Sequence, residues 1–191
     1  MKIIQIGANS GNDDVQDFIF KNKNSIELVI LVEPIPFIIN NLKNQYNNIN
    51  NVIIENIAIS NNNDNNFILY YEENSNYEVS SFSKQHLLDH GCEMNKIKNI
   101  IVESITFNNL MEKYNLNYLD YLYIDTEGLD VDIIESIDFK KYKIQNLIFE
   151  SNHTDGAFKK GENYNRVCNY LNNLGYTIEN FNSLNTIAKL K

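Results

Sequence analysis

The stretch "IQIGANSGNDD", Ile4 to Asp14, decides how the rest of this chain is read. An apolar run ends in Gly7, a second glycine follows at Gly11, and Asp13 and Asp14 come directly after. A continuous apolar run closed by glycine describes a strand buried on both faces that hands over to a helix. In an open parallel sheet such a turn lies at the carboxyl edge of the strands, where nucleotide-like ligands bind. One glycine of the dinucleotide fingerprint is missing, and two acids stand where a phosphate favours none.

Outward from this turn, short apolar segments alternate with helical ones. "KIIQIG", "IELVILVEP", "NVIIENIAIS", "LDYLYIDTEG" and "IQNLIFES" read as five buried strands. "VQDFIFKN", "PFIINNLKNQY", "FNNLMEKYN", "DVDIIESI" and "YNRVCNYLNNLG" read as helices, the last with Gly175 at its C-terminal cap. Residues 67–105 hold two β-like pieces, "NFILYYEE" and "NIIVESI", around a polar stretch, and are expected to form a variable, β-rich insertion near the substrate side. "YTIENF" and "NTIAKLK" close the chain with no helix between them, so they pair as an antiparallel hairpin at the sheet edge. The expected fold is therefore α/β: a Rossmann-like, mostly parallel sheet with helices on both faces and a C-terminal antiparallel hairpin. That terminal hairpin points to the methyltransferase version of the doubly wound fold.

The chain has 191 residues, 43% hydrophobic and 12% aromatic, enough for one domain spanning 1–191 with a sizeable core. Its net charge of −9 and its single Arg166 provide no basic stripe, which argues against nucleic acid as a partner. No apolar run reaches membrane-spanning length and no leader is recognisable, so a cytoplasmic protein is expected. Cys92 and Cys168 have neither metal-ligand nor disulfide spacing and read as free thiols. Asn-rich pieces such as "NNNDNN" (residues 61–66) read as surface loops. The short N-terminus leaves a patch that a second copy could cover, so a homodimer is a possible assembly.

Ligand contacts are expected where strands end. Glu33 lies about twenty residues past the glycine turn, the distance at which an acid reaches ribose hydroxyls. An adenosine ligand fits, as a dinucleotide or as S-adenosyl-L-methionine. Asn9 occupies the place of the middle glycine that lets backbone approach a pyrophosphate, and Asp13 and Asp14 oppose an anion at the helix start. The sulfonium and amine of S-adenosylmethionine are cationic, so the same acids favour it. Capping of the following helix is the alternative reading of those two residues. In "IDTEG", Asp125 and Glu127 sit two apart at a strand end and would share a face if the strand continued.

Taken together, "IQIGANSG", "VEPIPFIINNL", "NIAIS", "LDYLYIDTEGLDVDII" and "LIFES" resemble, in order and spacing, the FkbM-type S-adenosylmethionine-dependent methyltransferases. The resemblance implies a class I methyltransferase fold and methyl transfer to an oxygen, such as a hydroxyl of a sugar, glycan or small metabolite. It also implies that Gly7, Asn9 and Gly11 line the donor, that Glu33 holds its ribose and that Ala58 lies near the adenine. Asp125 and Glu127 would then face the methionine end or the acceptor. Gln5, Ala8, Pro34 and Asn56, at or beside strand ends, complete the expected cofactor contacts. A sugar hydroxyl needs a base, and His153 beyond the fifth strand is the first candidate, followed by Glu150, Glu127 and Asp125. His86 and His90 are expected at the surface, and Tyr70, Tyr71, Tyr77 and Phe82 could stack on a sugar. Asp125, Glu127, Asp130 and His153 carry metal-binding atoms, but no ligand spacing calls for a metal and none is expected. An NAD(P)-binding oxidoreductase and a non-catalytic domain with this fold are the alternatives.

Overall fold

A computed structural model describes residues 1–62 and 64–191. Asn63, within the expected 61–66 surface loop, lies outside the described residues. The central sheet has seven strands: β1 (Lys2–Ile6), β2 (Leu28–Val32), β3 (Val52–Glu55), β7 (Tyr118–Ile124), β8 (Lys143–Glu150), β9 (Tyr176–Asn180) and β10 (Asn185–Leu190). Their order is β3-β2-β1-β7-β8-β10-β9. β1 pairs in parallel with β2 and β7, β7 with β8, and β2 with β3. Only β10 runs against its neighbours, lying antiparallel to both β8 and β9. The expected terminal hairpin is present, with β9 outermost.

Alternation along the inner strands feeds two cores. Ile4, Ile6, Ile30, Val32, Leu147 and Phe149 point to one face. There they meet Leu110 and Met111 of α4 (Phe107–Lys113), Val131 and Ile134 of α5 (Asp130–Ser136), and Val167 and Leu171 of α6 (Glu162–Asn173). Ile3, Val29, Leu31, Tyr123 and Ile148 point to the other, against Ile19 of α1 (Asp14–Lys21) and Leu42 of α2 (Ile39–Gln45). No helix among the described residues is long and apolar enough to cross a membrane.

"NVIIENIAIS" does not form one strand. β3 ends at Glu55, and β4 (Ala58–Ser60) joins a second, three-stranded sheet of order β4-β6-β5, with β5 at Asn66–Glu72 and β6 at Ile97–Thr106. The break falls at Asn56, whose side-chain amide donates to the carbonyls of Glu33 (2.8 Å) and Pro34 (3.0 Å). Those bonds tie Asn56 to the segment after β2 and turn the chain out of the sheet. Residues 67–105 hold most of β5 and β6 and a helix that the apolar pattern does not announce, α3 (Lys84–Asp89).

Gly7 sets how closely β1 and β7 approach at their carboxyl ends. Its φ is +82°, and a Cβ there would overlap the backbone carbonyl oxygen of Asp125. Gly91 has nearly the same φ (+83°), but a Cβ there would meet nothing within 4 Å. Gly91→Ala therefore reports conformational strain alone, about 1 kcal/mol. Gly7→Ala adds the backbone clash and is expected to cost at least about 3 kcal/mol in urea unfolding. Equal losses in both variants would mean that the close approach to Asp125 is not needed.

Candidate active site

The turn after β1 uses up its own backbone donors. The N–H groups of Gly7 and Ala8 both donate to Val32 O (2.9 and 3.1 Å), and that of Gly11 donates to Ala8 O (2.9 Å). Asn9, at a left-handed φ of 45°, donates its N–H to Glu33 Oε2 (2.8 Å), and Ser10 N–H is taken by the Asn9 side chain (2.5 Å). Asp13 then caps α1, accepting from Gln16 N–H (2.8 Å) through one oxygen and from Gln5 Nε2 (2.7 Å) through the other. Asp14 is exposed in the first helical turn. The capping reading of Asp13 therefore holds, while its side chain also borders the cleft described next.

Glu33 follows the end of β2 and is 5% exposed. Its second oxygen accepts from Ile35 N–H (2.8 Å), so one carboxylate joins the β1 turn to the segment after β2. Burial pushes its pKa up to about 7, against the pull of the two backbone donors. The carboxylate borders a cleft of about 470 Å³. Gly7, Ala8, Asn9, Pro34 and Ala58 line the same cleft, as do Asp125, Glu127, Glu150 and His153. Gln5, Gly11 and Asn56 do not. Gln5 holds Asp13 from beneath the turn, Gly11 faces Leu42 and Tyr46, and Asn56 braces the backbone of Glu33 and Pro34. Of the candidate stacking aromatics, Tyr77 and Phe82 reach the cleft, whereas Tyr71 packs on Phe37 and Tyr77.

Beyond the ends of β7 and β8, four carboxylates meet three imidazoles. β7 stops at Ile124, and Asp125 N–H donates to Ile6 O (3.0 Å). Glu127 takes a φ of 53°, so a chain reversal rather than strand alternation aims its side chain. Glu127 Oε2 lies 2.7 Å from His86 Nε2 and 3.3 Å from His153 Nδ1. His153 Nδ1 is also 2.8 Å from Glu150 Oε1. Burial opposes the charge on Glu127, but contacts with His153 and then His86 outweigh it and bring its pKa down to about 2. Burial likewise works against a charged His153, yet contacts with Glu127 and Glu150 raise it to about 10. Asp130 is 3% exposed, accepts from Thr126 Oγ1 (2.9 Å), and is pushed up to about 7 by burial and then by the charge of Glu150. Asp125 differs in opening onto the cleft. Enclosure by protein on its other sides, then Glu150, Asp130 and Glu127, hold its carboxyl well above the usual range.

His86 and His90 belong to this group. His86 is buried, against the surface position expected for it, because α3 lays it on Glu127. His90 is half-buried and borders the cleft. The His-x3-His spacing of residues 86 and 90 was the available signal, since residues four apart share a helix face. A second cavity of about 700 Å³ adjoins the first, sharing Phe82, Glu127 and His153 with it and adding His86, Asp89, Asp155 and several hydroxyl and amide groups.

Comparison with known proteins places this architecture. The sequence profile described as "Methyltransferase FkbM domain" matches residues 5–178. A search of curated proteins finds no match. Among solved structures, the methyltransferase FkbM from Methylobacillus flagellatus KT aligns with a TM-score of 0.56 at 13% identity, over 98% of this chain and 43% of that one. A putative methyltransferase from Streptococcus mutans in complex with SAH aligns with a TM-score of 0.50 at 11% identity, over 98% of this chain and 87% of that one. This chain thus spans less than half of the M. flagellatus protein, and identities this low speak for the fold alone. The profile match over most of the chain carries the assignment: this protein belongs to the FkbM methyltransferase domain family.

Proposed function

We propose that this chain, as a single domain over 1–191, is an S-adenosyl-L-methionine-dependent O-methyltransferase acting on a hydroxyl of a sugar, glycan or small metabolite. The observation that carries the choice of donor is the turn after β1. Every backbone N–H from Gly7 through Gly11 is already bonded within the protein. A pyrophosphate would find no free donor there, whereas an uncharged nucleoside with a cationic sulfonium needs none. Glu33 supports the same reading. An ionised carboxylate offers about four lone-pair positions, and two backbone N–H groups occupy two of them. The remaining two suit the paired hydroxyls of a ribose.

The acceptor is assigned to the second cavity, which meets the donor cleft at Phe82, Glu127 and His153 and is bordered mostly by polar residue types. Residues 67–105, which supply Phe82 and α3, form the substrate side in this reading. Methyl transfer is an in-line displacement, so holding the hydroxyl against the sulfonium contributes most of the acceleration. The attacking oxygen must also lose its proton. Asp125 takes that role, because it opens onto the cleft while Glu127, Glu150 and His153 engage one another. His153, the first choice from its position after β8, is assigned to the framework that holds these acids in place.

Calorimetry with S-adenosylhomocysteine tests the donor. Binding is expected, with Glu33→Ala weakening it roughly tenfold to hundredfold through loss of charge-assisted hydrogen bonds. NAD binding in place of S-adenosylhomocysteine binding would replace this reading by an oxidoreductase. A pH series adds a second check. Ribose hydroxyls donate to the ionised form of Glu33, whose pKa is about 7. Affinity should therefore rise roughly tenfold from about pH 6 to about pH 8, and Glu33→Gln should remove that step. For the base, radiolabelled methyl transfer to a panel of sugars is expected to fall about 10²- to 10⁴-fold in Asp125→Asn, with S-adenosylhomocysteine still bound. Unchanged turnover would remove Asp125 from the mechanism.

A further inference from the structure

All three histidines of the chain meet at one point, although His153 lies 63 positions after His90 in the sequence. His86 lies on α3 and His90 is its C-cap, so the four-residue spacing puts both rings on one side. Their ring centroids are 4.5 Å apart, and His153 stands 5.4 Å from His86 and 4.7 Å from His90. Glu127 closes the group. One nitrogen from each histidine and one oxygen from Glu127 all lie within 4.8 Å of one another.

Hydrogen bonding within the protein does not account for this arrangement. The His86–Glu127 contact at 2.7 Å satisfies one ring nitrogen. His90 Nε2 and His153 Nε2 are buried with no hydrogen-bond partner among the described residues. His153 Nδ1 stands within ion-pair distance of Glu150 Oε1 (2.8 Å) and Glu127 Oε2 (3.3 Å), which leaves Nε2 as its unengaged nitrogen. His153 is only 8% exposed, so open solvent does not supply the missing partner. Buried polar atoms are ordinarily paired, yet two unpaired ring nitrogens belong to this one group.

We propose that His86, His90, Glu127 and His153 form a binding site for one divalent transition-metal ion of the zinc type. Three imidazoles with one carboxylate are the donors preferred by zinc, cobalt and iron, whereas magnesium and calcium take oxygen ligands. Bonds of about 2.0–2.1 Å place tetrahedral ligand atoms about 3.4 Å apart, so small closing shifts bring these four donors onto a single ion. Glu150, 2.8 Å from His153 Nδ1, is placed as an outer carboxylate that orients a ligating imidazole. Phe158 covers the group from one side, its ring 5.0 Å from His90 and 5.1 Å from His153. Between them the four residues border both cavities. The proposal stands on these donors alone and does not depend on methyl transfer.

The test uses untagged full-length protein stripped with a chelator and titrated with Co²⁺ as a spectroscopic probe. One equivalent is expected to produce visible d–d absorption, which Zn²⁺ then displaces. His90→Gln, at the half-buried position, and His153→Gln should each weaken Co²⁺ binding at least roughly tenfold. Zn²⁺ should raise the melting temperature of the parent by more than that of either variant, with circular dichroism confirming that both variants fold. Absence of the absorption band, or equal affinity in the parent and both variants, overturns the proposal and leaves water as the bridge between these nitrogens. Because metal binding is read without any nucleoside, its failure is distinguishable from failure of the donor assignment.

Discussion

The two backbone hydrogen bonds to Glu33 organise the carboxyl edge of this sheet. One carboxylate holds Asn9 N–H on the β1 side and Ile35 N–H on the β2 side. Its own carbonyl, with that of Pro34, is held by Asn56 at the point where β3 gives way to β4. The ends of three strands are thus tied together through a single residue. Charge-assisted bonds of this kind are roughly twice as strong as neutral ones. They also position the carboxylate, since both its oxygens are fixed before any ligand arrives. Burial that lifts its pKa to about 7 is the cost of that placement.

The opposite side of the cleft follows a different electrostatic plan. Asp125, Glu127, Asp130 and Glu150 are concentrated where β7 and β8 end, and the nearby positive charge comes from imidazole. Such a site favours cations. In the proposed reading two of them use it: the sulfonium of the methyl donor in the open cleft, and a metal ion at the histidine cluster. The acids therefore need no phosphate-binding counterpart, in keeping with a turn whose N–H groups from Gly7 through Gly11 are all engaged.

Much of the fold was legible because the inner strands are buried on both faces. Continuous apolar runs such as Ile3 to Ile6 and Leu28 to Val32 have few other uses, and the helix-free link between β9 and β10 identified the terminal hairpin. The spacing of Glu33 from the glycine turn announced its position beside the cleft, where the structure places it. What the sequence concealed depended on contacts between distant residues. The split of "NVIIENIAIS" is made by Asn56 reaching the carbonyls of Glu33 and Pro34, which no local pattern announces. Glu127 was paired with Asp125 by strand alternation, yet a left-handed backbone at Glu127 turns its side chain toward the histidines. His86 and His90 looked like surface residues of a polar segment because α3 is only six residues long. Their partner His153 arrives from a different part of the chain, so the cluster exists only in three dimensions.

The central claim is that the cleft beside Glu33 holds the adenosine end of a methyl donor. A crystal structure with S-adenosylhomocysteine tests it most directly. The account predicts both ribose hydroxyls within hydrogen-bond distance of Glu33, the adenine beside Ala58, and the thioether sulfur facing the Asp125–Glu127 side of the cleft. A nucleoside bound elsewhere on the protein, or in the cleft with its ribose away from Glu33, would contradict the account.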